Sequence, residues 1–342
     1  MTNYSLDFPC AHQSEKPRAG FRQLLQDFQV DEELGFQLSG SGEHLWLKIE
    51  KTGLNTIDVA RLIAEKTATR IQDIGYAGLK DRQAITRQWF SVKSAADLSE
   101  ADLARPGIQI LEIQRNARKL RRGSHRGNAF RITLRDIAVD SRWIESVCST
   151  LKTLGVPNYF GPQRFGHGGN NIARAEELFN GKLTKLPRFQ RGIVLSAARS
   201  YLFNQVLAAR VSDCSWNRYL PGDLMALAGS SSVFKAEEGD AAIAERLTTM
   251  DIHPTGPLSG KGDLASAGQV KSLEQGIIEK YAVLARGLAA AGLKQERRPL
   301  RLVPENLQIL SAGDEELMVE FSLPTGAFAT SVLREMVSAP GL

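Results

Sequence analysis

The feature that most constrains the fold is a change in hydrophobic periodicity along the chain. Near both ends, in residues 45–49 and 317–323, apolar residues alternate with polar ones, which is typical of strands with one buried face. Between them, residues 172–180, 194–211 and 273–291 have apolar residues at helical spacing. The chain of 342 residues exceeds the size at which a single core stops growing. The simplest interpretation is a strand-rich domain, discontinuous in sequence, with a helical segment inserted into it.

Local signals predict several individual elements. A helix is expected over 56–69 with Asn55 as its N-cap, and another over 141–154. The helix over 273–291 should begin at a capping box, Ser272-x-x-Gln275. Residues 254–268 are rich in Gly, Ser and Pro and are expected to be loose.

The overall composition limits the classes of protein to which the chain can belong. Hydrophobic residues make up 42% of the chain and charged residues 24%, which is typical of a soluble globular protein and unlike a disordered one. No run approaches the roughly 18 apolar residues of a membrane span, and no secretory signal is expected. Cys10, Cys148 and Cys214 lie far apart, which favours free thiols and a cytoplasmic protein.

The positive charge is concentrated in one segment. Residues 113–135 contain eight cations and no acid, whereas the net charge of the whole chain is +5, so the remainder is net acidic. Such a segment is the usual footprint of a polyanion partner, although a solubilising surface is the alternative. Arg131 and Arg135 lie in a strand-like stretch. The six candidate phosphate contacts are Arg115, Arg118, Lys119, Arg121, Arg122 and Arg126.

A short polar crossing separates two strand-like runs in GYAGLKDRQAITRQWFSV, residues 75–92. At its centre Asp81 lies between Lys80 and Arg82. A structural interpretation is a turn aspartate that bonds to its own backbone. The functional interpretation is a carboxylate that nearby cations keep ionised for chemistry. The side chains of Lys80 and Arg82 are expected to point away from Asp81, toward phosphate.

Three stretches place an aromatic residue beside glycine or polar residues instead of in an apolar run. They contain Phe28, Asn128 two residues before Phe130, and Phe328. A flipped nucleobase needs a ring to stack on and an amide or backbone group to read its edge. Taken singly, each phenylalanine is more often an ordinary core residue than a site residue, and Asn128 could hold a turn.

Other site classes find little support. The five histidines form no pairs with one another or with cysteine, so no metal site is predicted. A P-loop and a G-x-S-x-G elbow are absent from the sequence, and so is the deaminase signature H-x-E with P-C-x-x-C. The residues alone leave three hypotheses: a uridine-modifying enzyme, another base-modifying enzyme such as a methyltransferase, or a non-catalytic RNA-binding protein.

Five stretches, in order, resemble the signature segments of the TruD family, tRNA pseudouridine synthase D: GYAGLKDRQAITRQWFSV, RGNAFRITLR, GVPNYFGPQRFG, LSAARSYLFNQVLAARV and LPTGAFATSVLREMV. The resemblance implies an α+β fold. Its catalytic domain has a mixed, largely antiparallel β-sheet with a central cleft, and a helix-rich α+β TRUD domain is inserted into it. We therefore expect a discontinuous catalytic domain of residues 1–153 and 304–342, and a TRUD domain of residues 154–303.

The resemblance also implies an activity, the isomerisation of a uridine in tRNA to pseudouridine, at position 13 in bacterial members. Carried over by motif, the catalytic aspartate is Asp81 and the uridine-contacting residues are Phe28, Asn128 and Phe328. The basic residue six positions before Phe28, often Lys in similar sequences, is Arg22 here. The reaction is neither an oxidation nor a reduction, so no cofactor and no metal is expected. The expected partner is tRNA, without a membrane, and the enzyme is expected to act as a monomer.

Overall fold

The computed structural model describes residues 4–12, 15–93, 98–237, 239–313 and 315–342. Their fifteen strands are β1 (Gly20–Phe21), β2 (Phe28–Glu33), β3 (His44–Thr52), β4 (Gly75–Tyr76), β5 (Ile85–Lys93), β6 (Ile108–Asn116), β7 (Gly127–Arg135), β8 (Val156–Pro157), β9 (Leu224–Leu227), β10 (Val233–Lys235), β11 (Ile252–Leu258), β12 (Glu296–Pro299), β13 (Arg301–Leu302), β14 (Glu305–Ala312) and β15 (Glu316–Pro324). Their eight α-helices are α1 (Thr56–Lys66), α2 (Ser141–Leu154), α3 (Asn170–Phe179), α4 (Arg188–Ser212), α5 (Ala241–Thr248), α6 (Gly268–Lys280), α7 (Ala282–Ala290) and α8 (Ala329–Met336).

The largest sheet contains nine strands drawn from both ends of the chain. Its order is β14–β15–β7–β2–β5–β3–β6, with β1 beside β7 and β4 beside β5. The β2–β5 pair is parallel, and the other pairs are antiparallel. The predicted α+β class and the mixed, largely antiparallel sheet are therefore confirmed.

The alternating pattern of β15 determines which face of this strand is buried. Its apolar residues from Leu317 to Leu323 share one core with residues of α2 and α8. Each buried side chain of this kind contributes about 1.5–3 kcal/mol. A slip of one residue would turn the whole set toward solvent, so the pattern specifies the register.

The middle of the chain leaves the large sheet and returns to it through a two-stranded ribbon in which β8 pairs with β13. Gly155 begins the ribbon with φ of +71°, and a Cβ there would lie 2.8 Å from the Leu302 carbonyl oxygen, so glycine fits both the conformation and the space. A four-stranded antiparallel sheet, β10–β9–β11–β12, and helices α3 to α7 follow. The N-terminal segment packs here too, with the Tyr4 ring 5.2 Å from Tyr201 and the Phe8 ring 5.3 Å from Tyr159.

Three local predictions are wrong. Residues 254–258 belong to β11 and are mostly buried between β9 and β12, although proline and glycine there suggested a loop. Ser272 does not cap a helix, because α6 already begins at Gly268 and the Ser272 hydroxyl donates to the Gly268 carbonyl at 3.2 Å. The predicted single helix is also interrupted at Tyr281, between α6 and α7.

We propose that residues 1–153 with 304–342, and residues 154–303, unfold as two separate units, because the nine-stranded and four-stranded sheets of the described residues share no strand. The packing of Tyr4 and Phe8 against Tyr201 and Tyr159 is a contact between the two units. Native-state hydrogen exchange in rising urea should then give amides of β7 and β11 different opening free energies. Amides of β15 serve as the internal control and should follow β7. A common urea dependence for β7, β11 and α4 would show a single unit instead.

Candidate active site

Asp81 lies on the loop between β4 and β5, at the predicted polar crossing. Buried side chains hold the backbone of this loop. The Thr56 hydroxyl oxygen accepts from the Lys80 amide at 2.9 Å, and the Gln88 side-chain amide donates to the Gly78 carbonyl at 3.3 Å. Thr56 also donates to Gln88 at 2.8 Å. Because these supports are buried and joined to each other, the loop positions its side chains rigidly.

A further support, Lys51 of β3, was not found from the sequence. Its fully buried ammonium donates to the carbonyl of Asp81 at 2.8 Å and to that of Leu54 at 2.7 Å. Burial lowers the pKa of Lys51 to about 8, although the Asp81 charge acts in the opposite direction. The sequence did contain a signal for its burial. Lys51 follows Leu47 and Ile49 at every second position of β3 and therefore lies on the same buried face.

Arg22 contacts Asp81 directly. Its Nη2 donates to Asp81 Oδ2 at 2.8 Å, and the exposed fractions of the two side chains are 19% and 38%. The φ angle of Arg22 is +58°, a left-handed conformation that is unusual outside glycine and clusters at functional sites. This pair places a guanidinium against the carboxylate and leaves the carboxylate open to solvent.

Phe28 lies beneath Arg22. Its ring is 2% exposed, and the Arg22 guanidinium carbon sits 3.8 Å from the ring centroid. The Phe130 ring lies 6.0 Å away within the same core. In this arrangement Phe28 supports Arg22, and its contact with a uridine stays a prediction.

The prediction that Lys80 would turn outward to a phosphate is wrong. Its side chain is 7% exposed, and Nζ lies 2.9 Å from Glu32 Oε2 and donates to Asn128 Oδ1 at 2.5 Å. Glu32 lies on the buried face of β2, where an unpaired carboxylate would be costly, so Lys80 is drawn inward. Arg82 is exposed, and its contact with phosphate stays a prediction.

The contact with Lys80 orients the Asn128 amide. An ammonium group can only donate, so Oδ1 must face Lys80 and Nδ2 must face the other way. Nδ2 lies 3.5 Å from Nε2 of the buried His125. Burial and the Lys80 charge lower the pKa of His125, which keeps its ring neutral. Asn128 therefore presents hydrogen-bond donors on the side away from Lys80.

Phe328 lies at the start of α8, just after the turn that ends β15. Its ring is half-buried, packs edge-on to Phe160 at 5.8 Å between centroids, and has the Arg164 guanidinium carbon 5.4 Å from its own centroid. Of the two predicted stacking rings, Phe328 is the more accessible.

The six cations predicted to bind phosphate lie on the connection between β6 and β7 and at its ends, and we call them the basic surface: Arg115, Arg118, Lys119, Arg121, Arg122 and Arg126. The two cations that follow are neutralised from β15, because Arg131 pairs with Glu320 at 2.8 Å and Arg135 pairs with Glu316. The positive surface is thus narrower than the sequence segment suggested.

A groove of about 780 Å³ runs along the basic surface. It is lined by Arg118 and Arg121, and also by Phe36, whose ring is 46% exposed. An exposed ring among cations suits a nucleic-acid base. Sequence reasoning did not single out Phe36.

A second cleft of about 780 Å³ separates the large sheet from the four-stranded sheet. None of the five described residues predicted to act on uridine lines it, but Gly127 and Ala327, the neighbours of Asn128 and Phe328, do. The cleft therefore adjoins the predicted site. Its polar lining includes Arg126, Asn158, Arg298, Arg301 and Thr325.

The described residues offer neither a metal site nor a membrane span. No group of three or more His, Cys, Asp or Glu residues among them could hold a metal ion. None of their helices is both long enough and apolar enough to cross a membrane.

A family model for tRNA pseudouridine synthase D (TruD) matches residues 11–172 and 170–336. The tRNA pseudouridine synthase D of Methylococcus capsulatus is 45% identical over 333 residues, covering 97% of this chain and 94% of that protein. The protein of the same name from Pseudomonas putida is 46% identical over 341 residues, covering 98% and 96%.

A crystal structure from Methanosarcina mazei, described as a tRNA pseudouridine synthase D (TruD), superposes with a TM-score of 0.74 and 22% identity, covering 96% of this chain and 95% of that one. At this identity the likeness shows the fold alone. The relatives above 40% identity match almost from end to end, and the family model spans the same region. The chain belongs to the tRNA pseudouridine synthase D (TruD) family.

Proposed function

We propose that the chain is an isomerase that converts a uridine of tRNA to pseudouridine, at position 13 by resemblance to bacterial members of the family, with Asp81 as its catalytic carboxylate. The observation that carries the proposal is the Asp81–Arg22 contact at 2.8 Å, on a loop held by buried groups. A carboxylate that is ion-paired yet 38% exposed can reach a substrate while it stays in contact with Arg22.

The reaction breaks the N1–C1′ bond of the uridine and forms a C5–C1′ bond. C5 loses its hydrogen as a proton and N1 gains one, so the product is an isomer of the substrate. Asp81 attacks C1′ or removes a proton from the sugar, and either step uses the ionised form. Arg22 stabilises that form through a charge-assisted hydrogen bond. The target uridine must first leave its stack, which costs a few kcal/mol.

Asn128 is the proposed reader of the base. Because Lys80 holds Oδ1, the substrate side of Asn128 offers Nδ2 donors, which suit a uracil carbonyl oxygen. Phe328 offers the ring on which the flipped base stacks, an interaction worth about 1–3 kcal/mol.

The basic surface is proposed to bind the tRNA backbone. Replacing Arg118 and Arg121 by glutamine should weaken tRNA binding and lower the slope of log Kd against log salt by roughly 0.7–0.9 for each phosphate that is no longer neutralised. Both residues are exposed and line the groove beside Phe36. Filter binding at several KCl concentrations measures the slope.

The matched control for this pair removes two exposed cations elsewhere, Arg61 of α1 and Lys271 of α6. Its slope should equal that of the wild type. Equal slopes for both double variants would show that the basic surface does not contact RNA.

Tritium release from tRNA labelled at uridine C5 tests the proposed function, since bond formation at C5 expels that hydrogen. Wild-type protein should release tritium without an added cofactor and in the presence of a chelator. A protein that binds tRNA but releases none from any tRNA pool would be an RNA-binding module instead. We further propose that the enzyme is cytoplasmic and acts as a monomer. Sedimentation of the protein alone and with tRNA would test its oligomeric state.

A further inference from the structure

Two arginines converge on the Phe160 ring. The guanidinium carbon of Arg298 lies 4.2 Å from the ring centroid, and that of Arg164 lies 5.6 Å away. Each has a neutral side-chain partner: Arg298 donates to Asn158 Oδ1 at 2.6 Å, and Arg164 donates to the Ser196 hydroxyl at 2.9 Å.

Neither arginine has a carboxylate within ion-pair distance in the described part of the chain, and the Nε of each is buried without a partner there. Burial lowers the pKa of both, and that of Arg298, with the Arg164 charge nearby, falls to about 9. Two other buried arginines pair with acids, Arg210–Asp223 and Arg297–Glu274, both at 2.8 Å. The buried Arg301 donates instead to His253 Nδ1 and to two backbone carbonyls.

Two like charges, partly desolvated and without a counter-charge, are unfavourable in the free protein. Departures of this kind from the usual pairing are concentrated at functional sites. A ligand that brought negative charge would supply both the missing counter-charge and the missing acceptors.

The pair is also reachable. Arg298 lines the cleft between the two sheets. Its Nη1 lies 3.8 Å from where a Cβ on Gly326 would stand, so it borders the turn that leads into Phe328. Arg164 faces the Phe328 ring itself.

We propose that Arg298 and Arg164 bind a phosphodiester group of the RNA backbone beside the base that stacks on Phe328. This proposal rests on the proposed function, which brings RNA to the cleft. A guanidinium binds phosphate oxygens through two parallel N–H donors, and RNA supplies one phosphate per nucleotide.

Replacing Arg298 by glutamine should weaken tRNA binding about tenfold at low salt and lower the slope of log Kd against log KCl by roughly 0.7–0.9. The control is Arg61→Gln on α1, where the arginine is exposed and already paired with Asp58. That variant should keep the wild-type slope. A wild-type slope in Arg298→Gln would overturn the site.

A second measurement needs no variant. Phenylglyoxal modifies accessible arginines, and peptide mass mapping reports the adduct at each one. Saturating tRNA should protect Arg298 and Arg164 while the adduct at Arg61 is unchanged. Equal yields of the adduct at Arg298 with and without bound tRNA would overturn the proposal. No adduct at Arg298 in the free protein would overturn it too, because a guanidinium that the reagent does not reach is not open to a phosphate.

These assays distinguish failure of the phosphate site from failure of the proposed activity. Tritium release without protection of Arg298 would overturn the phosphate site and keep the enzyme. Protection without tritium release would overturn the proposed activity and keep the site as part of an RNA-binding surface.

Discussion

Asp81→Asn is expected to reduce tritium release from uridine-labelled tRNA by about 10⁴-fold or more, as the loss of a catalytic group that works with its neighbours does. Asparagine keeps the shape and an acceptor for Arg22, so the loop should keep its support from Lys51 and Thr56. Affinity for tRNA should therefore change little. Single-turnover tritium release with filter binding on the same preparation measures both quantities.

The chain offers a closely matched control in Asp31→Asn. Asp31 is also 38% exposed and also pairs with an arginine, Arg87, at 2.9 Å, but it lies on β2, outside the Asp81 loop. Its replacement should leave turnover within about twofold, because exposed ion pairs contribute about 1 kcal/mol or less. Comparable losses in the two variants, or near-normal turnover by Asp81→Asn, would require another catalytic carboxylate.

Much of the fold was predictable because periodicity reports burial directly. The alternation over 317–323 became β15 with its apolar residues inside, and the helix over 141–154 became α2 with the same bounds. Local composition gave a wrong prediction where tertiary contacts determine the secondary structure. Proline and glycine in 254–258 suggested a loop, yet β9 and β12 enclose that segment as a strand.

The site shows the same limit at the level of single side chains. A cation was predicted near Asp81, and the structure shows Arg22 in contact with it. It could not say that Lys80 turns inward, because its partner Glu32 is distant in sequence and the pairing exists only once β2 and the loop are packed together. The Arg164–Arg298 pair was missed for the same reason, because both arginines meet the Phe160 ring only in the folded chain. For Lys51, by contrast, the sequence did offer a signal in its position on the buried face of β3.

The buried Lys80–Glu32 pair yields the second large effect. Lys80→Met should lower the free energy of unfolding by about 3–5 kcal/mol, since it leaves the fully buried Glu32 carboxylate without a counter-charge. Urea denaturation followed by tryptophan fluorescence measures this change. Trp89 lies beside this pair, since its backbone amide donates to Glu32 Oε1 at 3.2 Å.

The double variant Lys80→Met with Glu32→Gln separates stability from catalysis. Glutamine keeps an acceptor for the Trp89 amide, and removing both charges together is often nearly neutral, so most of the stability should return. Turnover should not return, because Asn128 Oδ1 no longer has the donor that orients its amide and Nδ2 is no longer held toward the base. The two substitutions should therefore compensate each other strongly in the free energy of unfolding and not at all in turnover. Recovery of both would show that the pair only stabilises the fold, whereas a cost below about 1 kcal/mol for Lys80→Met alone would show that the pair is solvated.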